Sequence, residues 1–387
     1  MSDGGSITVA ELTERLKAAS REAGFVAVGT CRAVSDTSEP GANSADMPVV
    51  ASHRRTLLRF REWLDDGCAA TMRYLIDRFE AYRTPDAVLP GARSFLVLAT
   101  AYRTLCPAPP LPGTVRVATY AWGDDYHGVL RRRMRKLIQL HRTLAPTAAV
   151  RGVVDTAPLF EKDLARRAGI GRIGKNTLLI HPHHGTRLLL AVLISTAELE
   201  YDEDHCDDSS YVADPDSVSP SSLPADPCDG CDACIRNCPT GALRPYRLDA
   251  RRCLSYRTIE NRDPIPEDLA RGDRLFGCEA CQDCCPWNAA ADACRPSSDA
   301  ALSPESWPER LRPFLPRGME NVRFGPATSD SSTVDATPSL SLNPVRLSEL
   351  LLMDDATLRR ALAGSPLLRP GIESLRRNAV ESRAEWS

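Results

Sequence analysis

Residues 228–239 read Cys228-Asp-Gly-Cys231-Asp-Ala-Cys234-Ile-Arg-Asn-Cys238-Pro239, the C-x2-C-x2-C-x3-C-P run of bacterial two-cluster ferredoxins. No other stretch restricts the chain so tightly. The short spacings let three thiolates close over one face of a cubane, while the fourth cysteine, carried off by a turn of helix, ligates the other cluster. A second group follows, Cys278-Glu-Ala-Cys281-Gln-Asp-Cys284-Cys285-Pro286, and Cys253 lies between the two. Two cubanes need eight thiolates. The first run gives four, the second gives three if Cys285 before the proline is used, and Cys253 completes the set. One [4Fe-4S] cluster then takes Cys228, Cys231, Cys234 and Cys285, and the other takes Cys238, Cys253, Cys278 and Cys281. Cys284 is left spare, although it can compete with Cys285. Paired cysteines also bind zinc, but the full run through Cys238-Pro239 is specific to iron–sulfur chemistry. Cys31, Cys68, Cys106, Cys206 and Cys294 have no partners at ligand spacing and read as ordinary thiols.

Around this module the chain divides by composition. Residues 1–200 alternate helical and strand patterns, which predicts a layered α/β domain. Within it, residues 55–83 have helical apolar spacing and Leu130–Leu144 forms a strongly basic helix. Ser94–Tyr102, Val150–Asp155 and Leu188–Ser195 read as buried strands. Residues 201–227 form an acidic, Ser/Pro-rich insertion in which His205 and Cys206 carry no ligand role. Residues 228–290 are the two-cluster, ferredoxin-like domain and 291–343 an irregular linker. Residues 344–387 hold two short helices like one unit of a helical repeat, which must dock on the rest of the chain to bury its apolar face.

The opening residues lack a basic stretch followed by an apolar run, and no run of about 18 apolar residues occurs. These features predict a cytoplasmic protein with no membrane partner, where cysteines serve more often as ligands than as disulfides. A formal net charge of −3 gives no global case for binding nucleic acid, so such a role needs a local patch. Nucleotide motifs are also missing. Gly169-Ile-Gly171-Arg-Ile-Gly174 has the G-x-G-x-x-G spelling, yet Lys175-Asn176 and an apolar run follow it rather than a helix.

Several blocks together resemble the epoxyqueuosine reductases, a family of cobalamin-dependent tRNA-modifying enzymes. They are Tyr120-AWGDDYH-127, Val154-DTAPLFEKDLARRAGIGRIGKNT-177, the cysteine run through CPTGAL, Cys253-LSYRTIE-260, Phe276-GCEACQDCCPWN-288 and the C-terminal LRRN. The resemblance implies a cobalamin-binding, nitroreductase-like fold for the N-terminal domain and clusters that feed electrons to cobalamin. It implies reduction of epoxyqueuosine to queuosine at the tRNA wobble position, with an unidentified low-potential electron donor. Asp125 of the DYH motif is the implied proton donor. A leaving alkoxide needs a proton, and a carboxyl desolvated in a closed pocket can donate one near neutral pH. Asp124 is expected to face elsewhere, and His127 to position rather than to ligate cobalt.

Motif alignment carries cobalamin contacts over to Thr177, Leu188, Ala191, Arg252 and Ser255. The basic run Arg131-Arg-Arg-Met-Arg-Lys136, just after the DYH motif, is the expected phosphate-contacting surface for tRNA with a queuosine-type anticodon. Arg359, Arg360, Arg376 and Arg377 form a second. The chain departs from the family pattern at Arg172, where an apolar or aromatic residue is usual. Two other functions share these features, a cobalamin-dependent reductive dehalogenase and an electron carrier without catalysis. The first usually carries a twin-arginine leader, and no twin-arginine pair precedes an apolar stretch near the start of this sequence.

Overall fold

The computed structural model describes residues 7–36, 47–102, 111–202, 226–269, 272–293, 307–317 and 340–383. Cys106, Cys206, His205, Cys294 and most of the acidic insertion and the linker lie outside these residues.

The chain starts with α1 (Val9–Glu22), β1 (Ala27–Arg32), α2 (Met47–Asp65), α3 (Arg73–Asp77), β2 (Ser94–Ala101) and β3 (Thr114–Val117). It continues through α4 (Tyr126–Leu144), β4 (Val150–Val153), α5 (Glu161–Arg167), β5 (Arg172–Ile173), β6 (Leu179–Ile180) and β7 (Leu188–Ser195). The cysteine-dense stretch holds α6 (Ala233–Arg236), β8 (Leu243–Arg244), β9 (Arg247–Leu248), α7 (Leu254–Ile259), β10 (Arg274–Phe276), α8 (Ala280–Asp283) and α9 (Pro286–Ala293). Last come β11 (Val345–Arg346), α10 (Leu347–Leu352), α11 (Asp355–Ala361) and α12 (Ile372–Arg383).

The main sheet has the order β1-β2-β7-β4, with every pairing antiparallel. Successive side chains of a strand point to opposite faces, and here both faces are covered. Val97, Ala99, Val192 and Ile194 pack with Leu164, Ala165 and Ala168 from α5 and its end. Leu96, Leu98, Ala191 and Leu193 pack on the other side with Leu12 and Leu16 of α1 and Leu130, Met134 and Leu137 of α4. Burial on both faces is why β2 reads as an unbroken apolar run, and all eight of its residues are buried.

The helical spacing of residues 55–83 does not give one helix. α2 ends at Asp65, and the backbone turns through Gly67 at φ 69° and Ala70 at φ 53° before the short α3. A left-handed residue cannot be accommodated inside a right-handed helix, so the apolar period runs across a corner. The glycine-rich 169–174 stretch opens no helix either. It forms the β5–β6 hairpin, where a Cβ on Gly171 would stand 2.2 Å from the Ile180 carbonyl oxygen.

A second sheet, β10-β3-β11, ties the regions together. β3 comes from the N-terminal region, β10 from the cysteine module and β11 from the C-terminal segment. Its core gathers Trp122, Phe276, Leu275, Leu350, Leu358, Leu367 and Leu375, all at most 2% exposed. The Asn378 amide, 1% exposed, donates to the carbonyls of Thr258 and Leu275 at 2.9 and 3.0 Å. Through these contacts the C-terminal helices dock beside α7 and β10.

Candidate functional site

The cysteine thiols form two neighbouring sets. Burial, followed by the nearby thiols of Cys228, Cys284, Cys285 and Cys231, pushes the Cys234 thiol up to about 11. Burial and the thiols of Cys278, Cys253, Cys234 and Cys238 raise Cys281 in the same way. Cys234 thus has Cys228, Cys231, Cys284 and Cys285 as neighbours, and Cys281 has Cys238, Cys253 and Cys278, with Cys234 near both groups. Cys231 is exposed and Cys228 half-buried, whereas Cys234 and Cys285 are buried, so the first group reaches the surface through Cys231.

Backbone amides aim at these sulfurs. Lys175 N–H reaches Cys228 Sγ at 3.3 Å and Ala242 N–H reaches Cys238 Sγ at 3.2 Å. Amides of Ser255 and Tyr256 bond to Cys253, that of Ala280 to Cys278, and those of Trp287 and Asn288 to Cys285. An unmetallated thiol gains little from such donors. A thiolate gains much more, because a hydrogen bond to a charged acceptor is roughly twice as strong as a neutral one.

Glu279, between two of these cysteines, locks the module to the N-terminal domain. Its buried carboxyl accepts from Thr119 N–H at 2.7 Å, Thr119 Oγ1 at 2.9 Å and Tyr102 Oη at 3.1 Å.

The carboxyl chemistry collects where α4 begins. Asp125 is its N-cap: Oδ1 accepts from His127 N–H at 3.0 Å and pairs with His127 Nδ1 at 2.7 Å. The opposite ring nitrogen, Nε2, stands 3.6 Å from Asp155 Oδ2. Burial alone would lower the His127 pKa, but the hydrogen bonds to Asp155 and Asp125 outweigh it and the net shift is upward. Asp124 faces away, paired with Arg317 at 3.1 Å and Arg132 at 3.9 Å.

Asp155 is the meeting point of this cluster. Its carboxylate accepts from Tyr126 Oη at 2.8 Å and lies 3.8 Å from Arg369 of the C-terminal segment. Arg369 in turn reaches Glu260, just past α7, at 2.7 Å. Burial works against ionisation of Asp155, yet the bonds from His127 and Tyr126 prevail and depress its pKa. The Asp155 backbone is left-handed at φ 53°, a conformation uncommon outside glycine but tolerated best by Asp and Asn. Its N–H donates to Glu161 Oε1 at 2.8 Å. Burial and the Asp155 charge raise Glu161 to about 8, so this carboxyl holds its proton at neutral pH.

Asp155 and Lys162 are both exposed, so the cluster is open to solvent on that side. Lys162 Nζ donates to the Thr177 carbonyl at 2.8 Å, and burial lowers its pKa against the charges of Asp155, Cys281 and Glu161. Lys162 thus lies near both the carboxylates and the Cys281 thiol. β4 stops at Val153, opposite Val192, so residues 188–191 of β7 have no strand partner on that side.

The residues aligned to cobalamin contacts fall in different settings. Thr177 is left-handed at φ 65° and presents its carbonyl to Lys162. Leu188 is half-buried on the open strand edge, whereas Ala191 is fully buried in the core. Arg252 is exposed, with Nε on the Thr240 carbonyl at 2.7 Å, and Ser255 starts the α7 turn that faces Cys253. Asp155, Tyr126, Glu161, Lys162 and Arg369 were not singled out from sequence. Four of them stand in the two blocks quoted above, but only the fold brings them together.

The basic surfaces are smaller than the sequence suggests. Arg131, Arg132, Arg135 and Lys136 are exposed on α4. Arg133 turns inward to Gly24 O and Thr100 Oγ1 at 3.3 and 3.2 Å. Arg359 and Arg360 are exposed, but Arg376 is bound to Asp355 and Arg377 to the carbonyls of Asn261, Arg262 and Asp263. Among the described residues, no helix is long and apolar enough to cross a membrane.

Residues 227–288 match the 4Fe-4S double cluster binding domain family. Residues 83–156 match the family described as epoxyqueuosine reductase QueG, DUF1730. The epoxyqueuosine reductase of Synechococcus sp. (strain CC9605) is 37% identical over 300 residues, which cover 76% of this chain and 81% of that protein. The epoxyqueuosine reductase of Pseudomonas aeruginosa is 31% identical over 384 residues, covering 95% of this chain and 84% of that one. In fold, the chain resembles a solved epoxyqueuosine reductase with a tRNA-Tyr epoxyqueuosine-modified tRNA stem loop. That match has a TM-score of 0.66 at 23% identity and covers 98% of this chain and 82% of the other.

Proposed function

The chain belongs to the epoxyqueuosine reductase family, and on that premise we propose that it reduces epoxyqueuosine to queuosine at the tRNA wobble position. Two [4Fe-4S] clusters would supply the electrons and cobalamin, when bound, would receive them. The observation that carries this proposal is the cluster at the start of α4, where Asp125, Tyr126 and His127 meet Asp155 and Arg369 of the C-terminal segment.

The ligand sets are Cys228, Cys231, Cys234 and Cys285 for the outer cluster and Cys238, Cys253, Cys278 and Cys281 for the inner one. The sulfur-directed amides support both. Exposure of Cys231 suits the outer cluster to an external low-potential donor, and the inner one would be held by the set whose Cys281 lies near Lys162.

Cobalamin, when bound, supplies a strongly reducing metal centre that opens the epoxide. The sheet covered by helices on both faces would be its nitroreductase-like binding domain, and the turn between α11 and α12 of the repeat-like segment brings Arg369 to Asp155. The unpaired edge of β7 at residues 188–191 suits a ligand rich in amide groups, which need backbone partners. Thr177 and Leu188 line this edge and the neighbouring turn. Arg252 and Ser255 hold the wall around Cys253, and Ala191 packs behind it.

The chain's own residues manage the proton. Asp125 fixes the His127 ring through Nδ1 and, by resemblance, is the acid. In this reading Asp125 works with the ring it orients: the His127 imidazolium, its pKa raised, keeps a proton available for the alkoxide, and the Asp155 carboxylate stabilises that charge from the Nε2 side. Glu161 holds the Asp155 turn in place. Exposed Arg131, Arg132, Arg135 and Lys136 sit on the helix that Asp125 caps, where they would grip tRNA phosphates without reading sequence. The test is anaerobic conversion of epoxyqueuosine-containing tRNA, read as loss of one oxygen mass from the modified nucleoside.

A further inference from the structure

We infer that Lys175 sets the reduction potential of the outer cluster, an inference that rests on the ligand sets proposed above. Lys175 belongs to the N-terminal domain, in the turn between β5 and β6, yet it grips the cysteine loop of the other domain. Its N–H donates to Cys228 Sγ at 3.3 Å. Its ammonium bonds to the carbonyls of Asp229 and Cys231, the latter at 3.1 Å. Its own carbonyl accepts from Tyr246 N–H at 3.0 Å, and Tyr246 Oη returns to Asp226 Oδ1 at 2.8 Å, closing a clasp around the start of the loop.

The charge balance makes this contact matter. Asp226, Asp229 and Asp232 surround the first two cysteines of the run, and Arg236 is already paired with Asp232. Each electron added to a cluster adds negative charge, which neighbouring carboxylates oppose. An ammonium and an N–H aimed at a ligand sulfur favour the reduced form, and hydrogen bonding and local charge are among the levers that set cluster potentials. Lys175 brings both to one loop, its N–H to the Cys228 sulfur and its ammonium to the backbone carbonyls of Asp229 and Cys231. The next residue differs: Asn176 Nδ2 reaches the Cys281 carbonyl at 3.5 Å, so the same turn touches the inner set without bringing a charge to it. Lys175 therefore holds the outer cluster at a higher potential than its acidic loop alone would give. That keeps the entry cluster reducible by an external donor.

The test uses the full chain with clusters reconstituted anaerobically, as wild type, Lys175→Gln and Lys175→Arg. Iron is counted, and both one-electron midpoints are followed by potentiometric titration with electron paramagnetic resonance. The expected result is eight irons in all three proteins. In Lys175→Gln one midpoint falls, lowering the reduced-to-oxidised ratio at fixed potential by about tenfold, or about 59 mV. The other midpoint stays, and Lys175→Arg restores the first. Eight irons with both midpoints unmoved in Lys175→Gln would overturn the inference. Loss of four irons, or an equal shift of both midpoints, would also overturn it and make Lys175 a structural clasp only. Wild type that cannot hold eight irons would instead overturn the ligand sets, and this inference with them.

Discussion

Asp155 and Glu161 are joined across a single turn, the Asp155 N–H donating to Glu161 Oε1 at 2.8 Å. The two carboxyls are driven apart in acidity by that closeness. Asp155 is held ionised by His127 and Tyr126, while burial and the Asp155 charge keep Glu161 protonated to about 8. Paired carboxyls with opposed shifts are a signature of acid–base sites, although structural networks produce them too.

That difference predicts a pH signature in stability. A carboxyl whose pKa rises on folding, here from 4.5 to about 8, contributes fully below 4.5 and loses its contribution as pH rises through 8. In cobalamin-free protein, Glu161→Gln should match wild type in thermal midpoint near pH 4.5. It should then become progressively more stable than wild type up to about pH 8 and keep a constant lead above that. A lead that stays constant from acid to alkaline pH would count against a protonated Glu161.

Replacing the acids separates their roles. Asp155→Asn removes the carboxylate that keeps His127 protonated and should slow conversion by about 100-fold, comparable to the loss of a positioned general acid. Asp125→Asn should act through His127, with a smaller loss and a shift in the pH–rate profile. The ranking is read from single-turnover rates at several pH values. Equal rates for Asp155→Asn and wild type would remove Asp155 from the proton path.

Adjacent thiols compete for one iron site, and the amides of Trp287 and Asn288 point at Cys285 rather than Cys284. Cys284→Ser should therefore retain eight irons after reconstitution, while Cys285→Ser should retain about four. Iron and sulfide analysis decides the matter, and the reverse result would exchange the two residues.

Asn378 joins the C-terminal helices to the cluster module through two carbonyls. Asn378→Leu leaves both unpaired, at about 1–3 kcal/mol for each buried group. Chemical denaturation should show that loss, and limited proteolysis should cut the C-terminal segment sooner. Unchanged stability would mean that the segment is held by its apolar contacts alone.

The cysteine module was legible because cluster ligands are local, and their spacing is set by the reach of a loop around a cubane. The buried strands were legible for a similar reason, since β2 and β7 are each a single apolar run. Strand direction was not, because two-sided burial gives the same composition in either orientation. The 55–83 stretch misled because its apolar period survives the corner at Gly67. β11 has two residues, too few for any period to show. Asp155 was in plain sight yet unmarked. Its partners Tyr126 and His127 precede it by 29 and 28 positions, and Arg369 comes from the far end of the chain. Asp124 and Asp125 are neighbours that alternation separates correctly, one toward Arg317 and one toward His127.

The most direct measurement is on the nucleoside itself. Anaerobically reconstituted protein is incubated with cobalamin, a strong reductant and tRNA carrying epoxyqueuosine, and the digested nucleosides are weighed by mass spectrometry. Loss of one oxygen mass, dependent on cobalamin and on both clusters, is the expected result. Intact epoxyqueuosine after incubation with protein that holds eight irons and bound cobalamin would contradict the proposed reaction.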